Sequence, residues 1–146
     1  MPLNPPSDAL ERFVRAQDRD YPQALAELSQ GRKKTHWIWY VLPQLRELGR
    51  SAMAREYGLA GRQEAADYMA HPVLGPRLVE CVDAMLGHPD RSVVEILGEI
   101  DALKFRSCLT LFIEAVPQEP AFAVALKTFY GNNPDKETLR LLRSVE

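Results

Sequence analysis

The sequence predicts an all-α protein, and three observations support this fold class. Apolar residues recur at intervals of three and four along nearly every segment, proline and glycine mark the segment ends, and no pair of alternating runs indicates a β-hairpin. The chain has 146 residues and is 46% hydrophobic, which is enough for one domain around one core. We expect a single compact domain of about eight or nine short to medium helices over residues 8–146, after a flexible Pro-rich tail at residues 1–7.

The first part of the chain predicts two helices. Asp8 and Glu11 have the spacing of a capping box at the start of the first one. A second helix is expected to begin at Tyr21 and Pro22, because proline suits a first helical turn. It should end at Gly31, since glycine readily adopts the left-handed conformation that terminates helices.

The stretch KKTHWIWYVLPQL, residues 33–45, contains both tryptophans of the chain and is compatible with two conformations. A helix would be capped by Thr35 and ended by Pro43, whereas a strand would place Trp37 and Trp39 on the same face. We favour the helix, because the neighbouring segments are helical and no partner strand is visible. At least one of the two rings is expected in the core, since leaving both in water is unfavourable.

The middle of the chain shows a series of helix boundaries. Ser51 is expected to cap a short helix, and His71-Pro72 should end a helix over residues 62–70, because the residue before proline avoids helical angles. The turn PVLGP leads into a long helix, and SVVE at residues 92–95 predicts a capping box for another. Two final helices are expected between Pro120 and Gly131 and from Asn133-Pro134 onward.

Residues 101–116, DALKFRSCLTLFIEAV, predict an amphipathic helix whose apolar arc is interrupted by two charges. Asp101 falls in the middle of that arc and Lys104 at its edge. Asp101 either caps the helix or pairs with Lys104 at i,i+3 in a cleft, and Lys104 alternatively extends along its aliphatic stem to solvent. A buried charge is costly unless paired, so the paired arrangement would indicate a functional site.

Composition and cysteine usage argue against several classes of protein. The formal net charge of −2 argues against a nucleic-acid binder, and no apolar run reaches the roughly 18 residues of a membrane helix. The start shows no signal-peptide pattern, and Cys81 and Cys108 lie within apolar helical patterns, so we expect reduced core cysteines in a cytoplasmic protein. His36, His71 and His88 are far apart in sequence, so we expect no metal site. For His36 and His71, which lie beside helix boundaries, we expect a core or capping role, with acid/base catalysis as the alternative. We expect no cofactor.

Three blocks of the chain resemble a known family. They are YPQALAELSQGRKKTHWIWYVLPQLRELGRS, EAADYMAHPVLGPRLVEC and DALKFRSCLTLF, and the similarity extends from about Leu10 to Leu142. On these blocks the chain is similar to an uncharacterised bacterial and fungal family, the domain of unknown function numbered eighteen-ten, which is sometimes mislabelled calpastatin. The resemblance implies a small, mainly helical cytoplasmic protein and implies no established activity.

The polar signature of that family, carried onto this sequence, marks nine candidate ligand-binding residues. They are His36, Trp37, Trp39, Gln44, His71, Arg77, Asp101, Lys104 and Ser107. The family usually has two serines where this chain has Ser107 and Cys108, so a catalytic role for the second hydroxyl is in doubt. The scattered tryptophans, the Lys-Phe pair and the acidic residues also resemble the NAD- and ADP-ribose-linked glycosidases of the YbiA type.

Two hypotheses of function follow, and no P-loop, nucleophile elbow, dinucleotide-binding glycine pattern or zinc-protease motif decides between them. In the first, one pocket binds a small, phosphate-bearing, nucleotide-like ligand of the NAD or ADP-ribose type. Tryptophan faces would stack on the base, and Arg77, Lys104 or the basic run at residues 32–34 would bind phosphate. Asp101 or a histidine would hold a ribose hydroxyl or transfer a proton, as in a glycosidase-like hydrolase.

In the second hypothesis, the protein is a non-catalytic interaction or structural module. The tryptophans are then core or partner contacts, and the basic run at residues 32–34 is a solvated loop. Polar residues that meet in one concave pocket would favour the first hypothesis. A flat apolar patch around Trp37 and Trp39 would favour the second.

Overall fold

A computed structural model of the chain describes residues 5–145, and within them it contains nine α-helices. They are α1 (Pro5–Gln30), α2 (Ile38–Val41), α3 (Ala52–Glu56), α4 (Arg62–Ala70), α5 (Leu74–Leu86), α6 (Val93–Leu97), α7 (Glu99–Ala115), α8 (Pro120–Tyr130) and α9 (Lys136–Val145). A 3₁₀ turn covers Arg46–Leu48, and one isolated parallel bridge joins Leu45 to Leu59. The all-α prediction is therefore confirmed. None of the helices in the described part of the chain is long and apolar enough to cross a membrane.

Helix α1 is one continuous helix where two were predicted. It begins at Pro5, so Asp8 is not its N-cap, and Pro22 lies inside it. The predicted tail falls partly on residues 1–4, outside the described residues. The helix ends as predicted at Gly31, which has a φ of +80°. The N–H groups of Gly31 and Arg32 donate to the carbonyls of Leu28 and Glu27, the pattern of a Schellman motif.

The core forms around α7, which packs against α4, α6, α8 and α9, while α1 packs against α5 and α2. Buried rings connect these helices in a continuous row. Phe13 contacts Tyr68 edge to face at 5.1 Å between centroids, Tyr68 contacts Phe112 at 5.6 Å, and Phe112 stacks on Phe122 at 5.3 Å. This row ties α1, α4, α7 and α8 together and holds α7 in place beneath the candidate site.

The helix boundaries in the middle of the chain agree with the sequence predictions. The Ser51 hydroxyl accepts a hydrogen bond from Ala54 N, and Ser92 and Glu95 form the predicted capping box. Gly131 is left-handed at the end of α8, with a φ of 60°. Of the two alternatives for Asp101, the N-cap is wrong, because α7 begins earlier, at Glu99.

The junction between α4 and α5 is tight. The backbone turns at His71, whose Nδ1 accepts hydrogen bonds from Val73 N at 3.1 Å and Leu74 N at 3.3 Å. Gly75 then brings α5 so close that an added Cβ would lie well within 3.0 Å of the Met69 carbonyl oxygen. His71 therefore caps the start of α5, a structural role.

Candidate functional site

The segment between α1 and α2 is organised by Glu27, a buried carboxylate. Its two oxygens accept hydrogen bonds from Gln23 Nε2 at 2.9 Å, Lys34 N at 2.8 Å, Thr35 N at 3.1 Å, Thr35 Oγ1 at 2.7 Å and Trp37 Nε1 at 2.9 Å. Burial opposes the charged form, but the hydrogen bonds outweigh it and lower the pKa of Glu27 to about 2. Thr35 consequently binds Glu27 and does not cap α2, which corrects that prediction.

This arrangement sends Trp37 into the core and Lys33 towards α7. Trp37 is 1% exposed, so at least one tryptophan is buried as predicted. The Lys33 ammonium lies 4.9 Å from the centroid of the Trp37 ring. The backbone N–H of Lys33 donates to the Ile96 carbonyl at 2.7 Å. Lys33 itself is largely covered, while Arg32 and Lys34 are exposed. The solvated-loop interpretation of this basic run therefore fits Arg32 and Lys34 only.

Asp101 joins two lysines at the centre of the site. Its Oδ2 lies 2.9 Å from Lys33 Nζ, and its Oδ1 lies 3.9 Å from Lys104 Nζ, one helical turn along α7. The Lys104 ammonium lies 5.5 Å from the centroid of the Trp39 ring. The predicted i,i+3 pair of Asp101 and Lys104 is therefore present, with Lys33 as an additional partner.

A groove of about 460 Å³ opens beside Lys104. One wall is formed by the segment between α2 and α3, with Gln44 and Arg50, and the other by α7, with Lys104 and Ser107. Residues from the start of α9 close one side. Two exposed apolar side chains lie on its α7 wall, Ile100 and Leu103, which are 71% and 66% exposed.

A small chamber adjoins this groove and shares Gln44, Ala54 and Lys104 with it. Its volume is about 10 Å³, and Trp39 and Tyr57 also line it. Trp39 is half-buried, and its indole Nε1 is a buried donor with no hydrogen-bond acceptor among the described residues.

A second depression, of about 500 Å³, lies on the other side of Asp101. Lys33, Lys34 and His36 line it together with residues 97–101 at the start of α7. His36 is exposed, and its imidazole has no hydrogen bond to a described residue. Ile100 lines both this depression and the groove, so the two are neighbours.

Two candidate residues lie apart from this groove. His71 caps α5, as described above. Arg77 lies on α5, where its guanidinium is 4.8 Å from the centroid of the Tyr21 ring and 3.4 Å from Asp18 Oδ1 and from Gln17 Oε1. Neither residue lines the groove. Of the predicted phosphate contacts, Arg77 is therefore not placed to reach a ligand in this groove.

The other candidates surround the Asp101 ion pairs from several directions. Gln44, Lys104 and Ser107 line the groove, Trp39 lines the chamber, and His36 and Asp101 line the second depression. Trp37 cannot stack on a ligand, because its ring is buried. No group of three or more histidine, cysteine or acidic residues within residues 5–145 could hold a metal ion.

Sequence reasoning missed Glu27. The sequence did indicate that this residue is buried. Glu27 follows Ala24 by three residues and directly precedes Leu28, so it lies on the apolar stripe of α1 that contains both. A charged residue on a buried stripe needs partners, and here they come from the segment that follows.

The comparisons with known proteins agree with this fold. The family model described as "Protein of unknown function (DUF1810)" matches residues 7–142, so the chain belongs to that family, which confirms the resemblance. The crystal structure of the conserved hypothetical protein Rv1873 from Mycobacterium tuberculosis superposes with a TM-score of 0.90 at 43% sequence identity, and the match covers 92% of this chain and 96% of that one. No curated protein matches the chain.

Proposed function

We propose that this protein binds a small, polar, phosphate-bearing ligand of the nucleotide type, such as ADP-ribose, in the groove beside Lys104. The observation that carries the proposal is the position of the Lys104 ammonium. It lies between Asp101 and the Trp39 ring on the wall of a groove that also contains Gln44 and Ser107. The groove and its surroundings thus bring α7 together with the segment after α1.

Charge around Lys104 supports an anionic ligand. Two lysine ammonium groups share the single carboxylate of Asp101, and the closer one, at 2.9 Å, is that of Lys33. An ammonium has three N–H donors, so Lys104 retains donors for a phosphate oxygen. Two acidic residues also line the groove, but each has its own partner: Asp135 accepts from Thr138 N and Oγ1, and Glu137 pairs with Arg140.

The same groove supplies apolar surface for a base or sugar. Ile100 and Leu103 are exposed on the α7 wall, and Leu48 and Ala54 also line the groove. An apolar ligand would cover these residues but would also desolvate the Lys104 ammonium, which Asp101 pairs only at 3.9 Å, and this desolvation is unfavourable. A molecule with a base at one end and phosphate at the other satisfies both requirements.

Binding is better supported than hydrolysis. Both Asp101 oxygens already face lysine ammonium groups, so this carboxylate is not placed as a free general base. We therefore assign no catalytic residue and set aside the glycosidase-like hydrolase in favour of a binding role. We further propose a reducing, cytoplasmic compartment, which the two free, buried cysteines support.

The exposed pair Ile100 and Leu103 also supports a second candidate, a non-catalytic interaction module. In that case the same α7 face would contact a protein, and the groove would bind no nucleotide. The two candidates differ in their dependence on Lys104.

Isothermal titration calorimetry with ADP-ribose, AMP and adenosine tests the proposal. We expect binding of the two phosphate-bearing probes that weakens with salt, because exposed charges are screened over roughly 8–10 Å. Lys104→Met should weaken binding by about tenfold or more, since a hydrogen bond to a charged group is lost. Lys127→Met, the same change at an exposed lysine of α8, is the matched control and should bind normally.

The proposal fails if neither phosphate-bearing probe binds at millimolar concentration, or if the Lys104 and Lys127 variants bind equally well. Absence of nucleotide binding would leave the interaction module as the supported candidate. An Ile100→Ser, Leu103→Ser double variant measures the contribution of the apolar wall to ligand affinity.

A further inference from the structure

The indole N–H of Trp39 is a buried donor that no described residue satisfies. Its Nε1 is enclosed, and no group in the described part of the chain accepts a hydrogen bond from it. Indole nitrogen can only donate, and buried N–H groups in proteins are nearly always paired. The other tryptophan follows that rule, because Trp37 Nε1 donates to Glu27 Oε1 at 2.9 Å. Trp39 therefore requires an acceptor from outside the described residues.

The chamber lined by Trp39 has room for an atom that could serve as this acceptor. Its volume of about 10 Å³ is close to the minimum for one water-sized oxygen, and it is too small for a whole phosphate or carboxylate group. Apolar side chains form much of its wall, including Ile38 and Leu42. It shares Gln44 and Lys104 with the groove, so the two spaces are neighbours, and the groove has space for the rest of a ligand.

Lys104 determines which kind of oxygen suits this chamber. Its ammonium lies 5.5 Å from the centroid of the Trp39 ring, and the residue lines both the chamber and the groove. An oxygen that enters the chamber would thus meet an N–H donor and a positive charge together. An anionic oxygen both accepts the indole hydrogen bond and attracts the Lys104 ammonium, whereas a neutral acceptor makes only the hydrogen bond.

We infer that Trp39 donates its indole N–H to one anionic oxygen of the bound ligand, and that this contact selects ligands with a non-bridging phosphate oxygen. The inference rests on the proposed function and adds a specificity-determining residue to it. One phosphate oxygen occupies the chamber between Trp39 and Lys104. The remainder of the phosphate group, the sugar and the base lie in the groove. A nucleoside without phosphate has no such oxygen and is rejected.

Nuclear magnetic resonance of the protein labelled with ¹⁵N-tryptophan observes the contact directly. The chain has two indole N–H groups, which are assigned from their neighbouring backbone signals. Addition of ADP-ribose should move the Trp39 indole proton downfield and slow its exchange with water. The Trp37 signal is the internal reference and should stay in place, because that N–H already binds Glu27. Adenosine should move neither signal.

Calorimetry on Trp39→Phe gives a second readout, because phenylalanine keeps an aromatic ring under Lys104 and removes the donor. ADP-ribose affinity should fall by about tenfold or more. If ADP-ribose binds the wild-type protein but the Trp39 signal does not move, or if Trp39→Phe binds with unchanged affinity, this inference is overturned and the proposed function stands. If neither ADP-ribose nor AMP binds at millimolar concentration, both are overturned. Should the variant fail to fold, the wild-type spectra decide.

Discussion

Glu27→Gln tests whether one buried carboxylate organises the segment that carries Lys33 and Trp37. The substitution keeps the shape of the side chain but replaces one oxygen by an NH₂ group. An NH₂ group donates hydrogen bonds, whereas the N–H and O–H groups around Glu27 need an acceptor. The pKa of Glu27 lies at about 2, below its ordinary value of 4.5. At about 1.4 kcal/mol per pH unit, that difference corresponds to about 3 kcal/mol of stability. We expect Glu27→Gln to lower the free energy of unfolding by about this amount near neutral pH.

The pH dependence has a definite sign. The folded-state pKa is depressed, so the stabilisation is fully present above the ordinary pKa of 4.5 and is lost as the pH falls towards about 2. Urea unfolding of both proteins, followed by tryptophan fluorescence at a series of pH values, measures this. Other carboxylates contribute equally to both proteins and cancel in the difference. A difference below about 1 kcal/mol at neutral pH, or one that stays constant down to pH 2, would refute the reasoning.

Three further predictions concern packing. Gly75→Ala should lower the free energy of unfolding by about 2–3 kcal/mol in the same urea assay, because the added Cβ overlaps the α4 backbone. Gly61→Ala is the control and should change it by less than about 1 kcal/mol, because the added Cβ there meets nothing. Equal effects of the two substitutions would contradict the close approach of α4 and α5. Burial raises the pKa of Cys81 to about 12 and also raises that of Cys108, so a thiol reagent should modify neither until the protein unfolds. Trp37→Ala should cost about 3–5 kcal/mol in urea unfolding, and a value below about 1 kcal/mol would show that its ring is not in the core.

Most of the helices could be predicted because local chemistry dictates their ends. A capping box at Ser92 and a left-handed glycine at Gly131 depend on residues within one turn, and both are present as expected. The error at Pro22 has a different cause. The buried residues of α1 continue past the proline at intervals of three and four, so packing of the whole stripe holds the helix together against a local signal to end it. These positions are Leu10, Phe13, Gln17, Tyr21, Ala24 and Leu28.

The candidate site could be predicted only in part, because its residues meet through tertiary contacts. Spacing on one helix offered the pair of Asp101 and Lys104 as one of two alternatives, and this pair is present. The contribution of Lys33 depends on how Glu27 folds the segment after α1, which no local pattern reveals. The capping role of His71, by contrast, depends on residues within one turn, because its ring accepts hydrogen bonds from Val73 N and Leu74 N at the start of α5.

The most direct measurement of the central claim is amide chemical-shift mapping of the wild-type protein with ADP-ribose. The account predicts that the signals that move belong to the two walls of the groove, around Gln44 and from Ile100 to Ser107. Signals around Arg77, which binds Asp18 and Tyr21 on α5, should stay in place. Saturating shifts centred on α5, or no shifts at millimolar ADP-ribose, would contradict the account.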